Sequence, residues 1–187
     1  LLSANYYSSR TTDMLYLYNV SVPPFTYNTL LANIGSMRNW GTEIAIGITP
    51  LKTKDMELNI NANITFQRNK LLSLSGMYNG EMLSAPEYKS LAGLDGAGFH
   101  GGYNHIVYQM VGQPLGVFYL PHSTGLESDG NGGYTYGIAD LNGGGVSLED
   151  GEDRYVAGQA VPKTILGSNI SFRYKRFDIS VQINGAF

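Results

Sequence analysis

Between residues 56 and 66 the chain alternates strictly. Met56, Leu58, Ile60, Ala62, Ile64 and Phe66 occupy the even positions, and Glu57, Asn59, Asn61, Asn63 and Thr65 the odd ones. Successive side chains of a strand point to opposite faces, so this segment has one apolar face and one amide-rich face. The second face carries almost no charge, which suits a wet polar lumen better than bulk water. Apolar-out, polar-in alternation is the pattern of transmembrane β-barrel strands. Eleven residues at roughly 3.3 Å each span about 36 Å. A tilt of about 45° brings this to roughly 25 Å, the height of a barrel's apolar band.

The same period appears elsewhere. Trp40, Thr42, Ile44, Ile46 and Ile48 oppose Gly41, Glu43, Ala45, Gly47 and Thr49. Leu166, Ser168, Ile170, Phe172 and Tyr174 oppose Gly167, Asn169, Ser171, Arg173 and Lys175, and Phe177, Ile179, Val181, Ile183 and Phe187 oppose Asp178, Ser180, Gln182 and Asn184. The pattern predicts an all-β chain forming part of one antiparallel transmembrane β-barrel domain over 1–187. About five strands are expected, at 2–18, 31–49, 56–75, 165–175 and 177–187. The first is expected to break near Thr11-Thr12-Asp13, and its facing is ambiguous because Tyr6 and Tyr7 offer aromatics to both sides. Loops are expected at 19–30, which contains Pro23-Pro24, and at 76–164, a Gly- and Tyr-rich stretch of weak periodicity. Connections alternate long and short, so the long ones are expected on the extracellular side and the short ones, at 50–55 and Lys175-Arg176, on the periplasmic side. Tyr174 and Phe177 then fall at one membrane interface, Trp40 and Phe187 at the other. Both ends of the sequence read as mid-strand, as in an excerpt of a larger protein.

Composition agrees with a barrel wall. Charged residues make up 14% of the chain against about 25% in soluble domains. There are 24 Gly and 14 Tyr in 187 residues, and no Cys, which excludes disulfides and thiolate metal sites. A net charge of −3 gives no electrostatic case for nucleic acid. The competing reading is a soluble β-sandwich binding module of carbohydrate-binding type, which also alternates. Few charges, aromatics at strand ends and the long 76–164 segment oppose it. A purely structural adhesin-like domain has no specific feature behind it.

Several motifs, in order, resemble one family. They are Tyr7-Ser8-Ser9-Arg10-Thr11-Thr12-Asp13-Met14-Leu15, Asn33-Ile34-Gly35-Ser36-Met37-Arg38-Asn39-Trp40-Gly41-Thr42-Glu43, Asn69-Lys70-Leu71-Leu72-Ser73-Leu74, Gly112-Gln113-Pro114-Leu115-Gly116-Val117-Phe118-Tyr119, Pro162-Lys163-Thr164 and Tyr174-Lys175-Arg176-Phe177-Asp178. The sequence looks like the C-terminal barrel portion of a SusC/RagA-type TonB-dependent outer-membrane transporter. The resemblance implies a 22-stranded barrel in the outer membrane of a Gram-negative bacterium, in contact with its lipid. It also implies an N-terminal plug that engages TonB and a SusD-like surface lipoprotein lid. The function it implies is import of glycan fragments or peptides, with no bond chemistry and no catalytic residues. The plug is absent from this sequence.

The candidate site residues follow. Asn59, Asn61, Asn63, Gln182 and Asn184 face the expected lumen and carry donors and acceptors without charge. Tyr103, Tyr108, Phe118, Tyr119, Tyr134 and Tyr136 are candidate loop contacts to lid or substrate, with packing within the loop as the favoured reading. No cofactor is expected. An acidic stretch with Asp140, Asn142, Glu149, Asp150, Glu152 and Asp153 offers hard oxygen ligands for Ca²⁺. The family often has an Asp-x-Asn-x-Asp-Gly loop at this place, and here Gly144 replaces the third ligand, a carboxylate, so a solvated acidic turn is preferred. Gly96-Ala97-Gly98-Phe99-His100-Gly101 matches G-x-G-x-x-G but lacks the strand and helix that motif needs. His100, His105 and His122 have no metal-ligand spacing, and Glu149 with Asp153 gives no evidence of a hydrolytic pair.

Overall fold

The computed structural model describes residues 1–86, 88–93, 105–147 and 152–187. They form two compact units, Leu1–Ala85 with Val161–Phe187, and Pro86–Ala160.

The first unit is built on a five-stranded antiparallel wall. Its strands are β1 (Leu2–Asn19), β2 (Thr29–Lys52), β3 (Met56–Ser73), β12 (Thr164–Tyr174) and β13 (Phe177–Ala186), in the order β1-β2-β3-β12-β13. The five expected strands are all present, with ends that differ by a few residues. Register explains why they hold one another. Leu2, Ile46, Ala62, Ser168 and Ile183 stand directly opposite one another in a row across the wall. Ile48, Ile60, Ile170 and Val181 form the next. Because the side-chain period is two, a slip of one residue in any strand would carry its apolar set to the other face. All five strands keep their apolar sets in phase.

Register also settles the facing of β1. Tyr6 pairs with Thr42 on the apolar side, and Tyr7 pairs with Gly41 on the polar side. The expected break is a bulge: pairing shifts between Thr11 and Met14, and Asp13 has a left-handed backbone with φ 57°. The β12–β13 connection is a two-residue turn in which Lys175 alone has positive φ, 55°. That sign pattern is the one of a type II′ turn, which matches strand twist.

Residues 76–164 are not an unpatterned loop. A short hairpin opens the segment, β4 (Ser75–Tyr78) with β5 (Glu81–Ser84). Its turn is Asn79-Gly80, both at positive φ, the strongest short-range hairpin signal a sequence carries. This hairpin closes the buried core of the first unit, where Leu83 packs with Tyr18 and Ala32, flanked by Tyr16, Leu30, Ile34 and Tyr78.

The second unit contains a four-stranded sheet in the order β11-β8-β7-β6. Its strands are β6 (Tyr88–Gly93), β7 (His105–Met110), β8 (Val117–Pro121) and β11 (Arg154–Gln159), and a separate hairpin joins β9 (Ser123–Ser128) to β10 (Tyr134–Ile138). These strands have five or six residues each, too short for a period to stand out among glycines.

Candidate functional site

The polar face of the wall is the first site. In one row Gly47, Asn61, Asn169 and Gln182 face each other, and in the next Ser3, Ala45, Asn63, Gly167 and Asn184. Strand order thus gathers four of the five expected amides, Asn61, Asn63, Gln182 and Asn184, into one patch, with Asn169 added. A hollow of about 310 Å³ lies over this patch. Gly47 and Gly167 leave its floor open: a methyl group on Gly167 would collide with the Asn63 carboxamide. These amides make no side-chain hydrogen bond among the described residues, so each presents a free donor and a free acceptor.

The fifth amide, Asn59, has a different setting. Its Oδ1 accepts from Thr49 Oγ1 at 2.7 Å, and its Nδ2 donates to Glu57 Oε1 at 3.1 Å. Glu57 also pairs with Arg173 Nη2 at 2.6 Å. Asn59 therefore belongs to a pinned polar network at the short-turn end of the wall. Farther along the same face the Tyr7 ring covers Gly41, whose missing side chain makes room for it. An aromatic lying over a strand glycine is a recognised way of fixing register.

The apolar face remains open. Ile44, Ile46 and Ile48 are 37–43% exposed, and Val181 and Ile183 about half exposed. Contiguous exposed apolar patches beyond a few hundred Å² are rare on soluble monomers. The aromatic residues fall at two levels. Tyr174 and Phe177 stand at the short-turn end. At the other end Phe66 pairs with Thr164, whose N–H donates to the Phe187 carbonyl at 2.9 Å, and Trp40 stands one row beyond.

The aromatic residues of the second unit divide. Tyr108 is fully buried, edge-on to Tyr119 at 5.4 Å, and its hydroxyl accepts from Arg154 Nη1 at 3.1 Å. The same nitrogen donates to the His105 carbonyl at 3.3 Å. Arg154 is itself buried, so the cation crosslinks β7 and β11 from inside. Tyr108 cannot serve as a contact surface; Phe118 and Tyr119 are half buried. Tyr134 and Tyr136 are more than 70% exposed and share one face of the β9–β10 hairpin with Leu126. Tyr103 lies outside the described residues. The aromatic pattern alone could not separate these roles, because the partner that buries Tyr108 is an arginine 46 residues away.

The acidic loop is held by its own main chain. Asp153 is buried and accepts from the N–H of Leu141 at 2.6 Å and of Ser147 at 2.7 Å. Those two donors hold its carboxyl below the usual carboxylate range. Asp140 accepts from the N–H of Gly143 at 2.6 Å and of Gly145 at 3.0 Å, and Asn142 Nδ2 donates to Glu152. Asp140, Asn142 and Asp153 are thus engaged with backbone amides and Glu152 with the Asn142 side chain, and no three described carboxylates or imidazoles gather in ligand geometry. Glu149, Asp150, His100 and the Gly96-to-Gly101 motif lie outside the described residues.

An antiparallel wall of long strands with one apolar face and one amide face has the architecture of a β-barrel segment. Comparisons with known proteins narrow this. No family model matches the chain. It is 26% identical over 181 residues to the TonB-dependent receptor SusC of Bacteroides thetaiotaomicron, covering 96% of this chain and 17% of that protein. It is 27% identical over 187 residues to the TonB-dependent receptor P26 of Formosa agariphila, covering 97% of this chain and 18% of the relative. Its fold is similar to part of a solved RagAB peptide transporter, with a TM-score of 0.61, 19% identity, and coverage of 98% of this chain and 19% of that one. A second structure, the RagAB importer in the open-open state, gives a TM-score of 0.67 at 18% identity, covering 99% of this chain and 18% of that one. The resemblance to the SusC/RagA-type TonB-dependent transporters therefore holds in both sequence and fold. The chain spans less than a fifth of the length of these relatives.

Proposed function

We propose that these residues form a wall segment, with one folded insert, of an outer-membrane barrel that imports glycan fragments or peptides. The observation that carries this reading is the in-phase register of five strands, apolar on one face and neutral-polar on the other. Transfer of the exposed isoleucine, valine and phenylalanine rows to lipid is favourable at about 25 cal/mol per Å². Five strands cannot enclose a lumen, so the remaining strands come from outside this segment. The amide patch then lines the interior, where uncharged donors and acceptors can solvate the plug or a neutral cargo without electrostatically trapping it. Import is driven through TonB acting on the plug, and a SusD-like lipoprotein captures cargo at the surface. The likeness in fold to the RagAB peptide transporter and in sequence to SusC supports this partner and cargo class. The chain performs no bond chemistry in this reading.

The test is uptake by cells expressing the full-length protein with its neighbouring surface lipoprotein. Labelled oligosaccharide and oligopeptide pools should accumulate in the periplasm only when TonB is functional. Equal uptake with and without TonB, or recovery of the protein in the soluble fraction, would overturn the reading.

A further inference from the structure

On the apolar face, just beyond the aromatic level at Phe66 and Trp40, the character of the wall changes abruptly. Arg10 stands directly opposite Arg38, and Arg38 directly opposite Lys70. In the neighbouring row Ser8 faces Trp40 and Trp40 faces Arg68. No register shift separates these rows from the isoleucine rows, so the four cations share the apolar face. All four are exposed. Like charges directly opposite one another destabilise a sheet, and no carboxylate among the described residues pairs with any of the four. Among the described residues the one ion pair, Glu57 with Arg173, is at the other end of the wall. Asp13, the nearest carboxylate in sequence, accepts from Thr12 Oγ1 at the bulge.

Two of the four cations are already positioned. Arg38 donates through Nε and Nη2 to Ser8 Oγ at 3.2 and 3.1 Å, and its guanidinium lies 5.3 Å from the Trp40 ring. Arg68 Nη1 is held by the carbonyls of Gln67 and Lys163 at 2.7 and 2.9 Å. Arg10 and Lys70 make no hydrogen bond or ion pair among the described residues. The cluster is an unneutralised cationic patch with part of its geometry fixed in advance.

We propose that Arg10, Arg38, Arg68 and Lys70 form a docking site for the phosphate groups of outer-leaflet lipid. The inference rests on the barrel reading above and adds a specific ligand to it. Three observations choose lipid-borne phosphate over other anions. The cluster continues the apolar face without interruption, so a ligand reaching it carries acyl chains along the isoleucine rows. Its height is right: Lys70 is four residues past Phe66, about 13 Å along the strand and about 9 Å along the membrane normal at barrel tilt, which is headgroup depth. Trp40, within the cluster, is a residue type enriched at that interface. Guanidinium groups bind phosphate through paired, charge-assisted hydrogen bonds.

The experiment uses the full-length protein in detergent, stripped of lipid, and native mass spectrometry to count bound bisphosphorylated lipid A. The parallel titrations are with the same lipid after removal of its phosphates and with inorganic phosphate as competitor. The expected result is retention of the phosphorylated lipid, loss of binding when the phosphates are removed, and little displacement by free phosphate. In the Arg10→Gln/Arg38→Gln/Lys70→Gln variant affinity should fall roughly fivefold per charge and roughly 100-fold in total. Lys175→Gln/Arg176→Gln, at the far end of the wall, should leave it unchanged. Equal binding of dephosphorylated lipid, equal binding by the triple variant, or displacement by equimolar free phosphate would overturn the proposal. So would a triple variant that keeps lipid but sheds a surface lipoprotein, since that assigns the patch to a protein partner. The wild-type comparison needs no variant to fold. Heat-dependent electrophoretic mobility, a property of folded barrels, separates the two failures: a protein without it contradicts the barrel, whereas a heat-modifiable one without phosphate selectivity contradicts only this site.

Discussion

The five-stranded wall and the Pro86–Ala160 unit bury their apolar residues in opposite ways. In the wall, the isoleucines stand in rows on one face, and Ile44, Ile46, Ile48, Ile179 and Ile183 stay more than a third exposed. In the inserted unit, Tyr108 and Val117 are wholly buried and Arg154 ties two strands together from inside. The insert closes on itself, as a domain in water must. The wall leaves its driving force unspent, and only a second apolar medium can collect it. Ladder hydrogen bonds give the wall its register; in the barrel reading proposed above, lipid covers its apolar face. This difference separates the two regions more sharply than their composition does.

The comparison breaks most visibly if the insert's core is removed. Tyr108→Ala should cost about 3–5 kcal/mol and also remove one of the acceptors that hold the Arg154 guanidinium. Hydrogen exchange should rise across 105–121 and 154–159 while 164–186 stays protected; exchange rising equally in both would mean that the two regions are one cooperative unit. Next in size is Gly41→Val in the wall. An added Cβ would sit 2.5 Å from the Phe66 carbonyl oxygen and 2.6 Å from Tyr7 Oη, and such overpacking costs about 1–3 kcal/mol. Tyr7→Ala in the same protein should recover part of that loss, because the two positions share one space; strict additivity in a double-mutant cycle would refute the ring-over-glycine packing.

A smaller effect is expected from Asp153. Its folded pKa is depressed, so the stability it contributes is complete above the ordinary carboxylate range. That contribution is lost as pH falls through the lower folded value. At mildly acidic pH the 140–147 loop should be intact, and its opening should begin only below that range. Amide resonances of Leu141 and Ser147 report this directly, and an Asp153→Asn protein should lack the acid transition. If both proteins open at the same pH, Asp153 is not the group that holds the loop. The smallest change sharpens the contrast between tyrosines: Tyr136→Ala, on an exposed hairpin face, should alter stability by no more than about 0.5 kcal/mol. A loss comparable to that of Tyr108→Ala, read from the same denaturation curves, would show that the hairpin face is covered.

The wall was legible in the sequence because its strands are long. Ten or more alternating residues, as in 56–66, leave few alternatives, and three such runs in phase imply the sheet that joins them. The bulge at Thr12-Asp13 was readable as a break, but the facing of β1 was not. Tyr6 and Tyr7 are interchangeable until pairing assigns Gly41 to one of them. The insert was opaque because its strands are short and its core depends on a buried arginine, a residue that patterning assigns to the surface. In the first unit, by contrast, Asn79-Gly80 is a short-range signal that marks the β4–β5 hairpin. At the site, four of the five amides share a patch because the register aligns β3 with β13 through β12, which no single strand reveals. Asn59 differs only because Thr49 and Glu57 are within reach of it. The cationic cluster was visible as three separate motifs, and only pairing shows Arg10, Arg38 and Lys70 to be neighbours.

The central claim is the facing of the wall, and one pair of substitutions tests it most directly. Ile60→Arg and Asn61→Arg place the same charge at adjacent positions on opposite faces of β3. Their folding free energies would be measured in the full-length barrel in lipid vesicles. A cost of about 2–4 kcal/mol is predicted for Ile60→Arg near the bilayer midplane, with Asn61→Arg costing far less. Equal tolerance of the two, or a larger penalty at Asn61, would contradict the account.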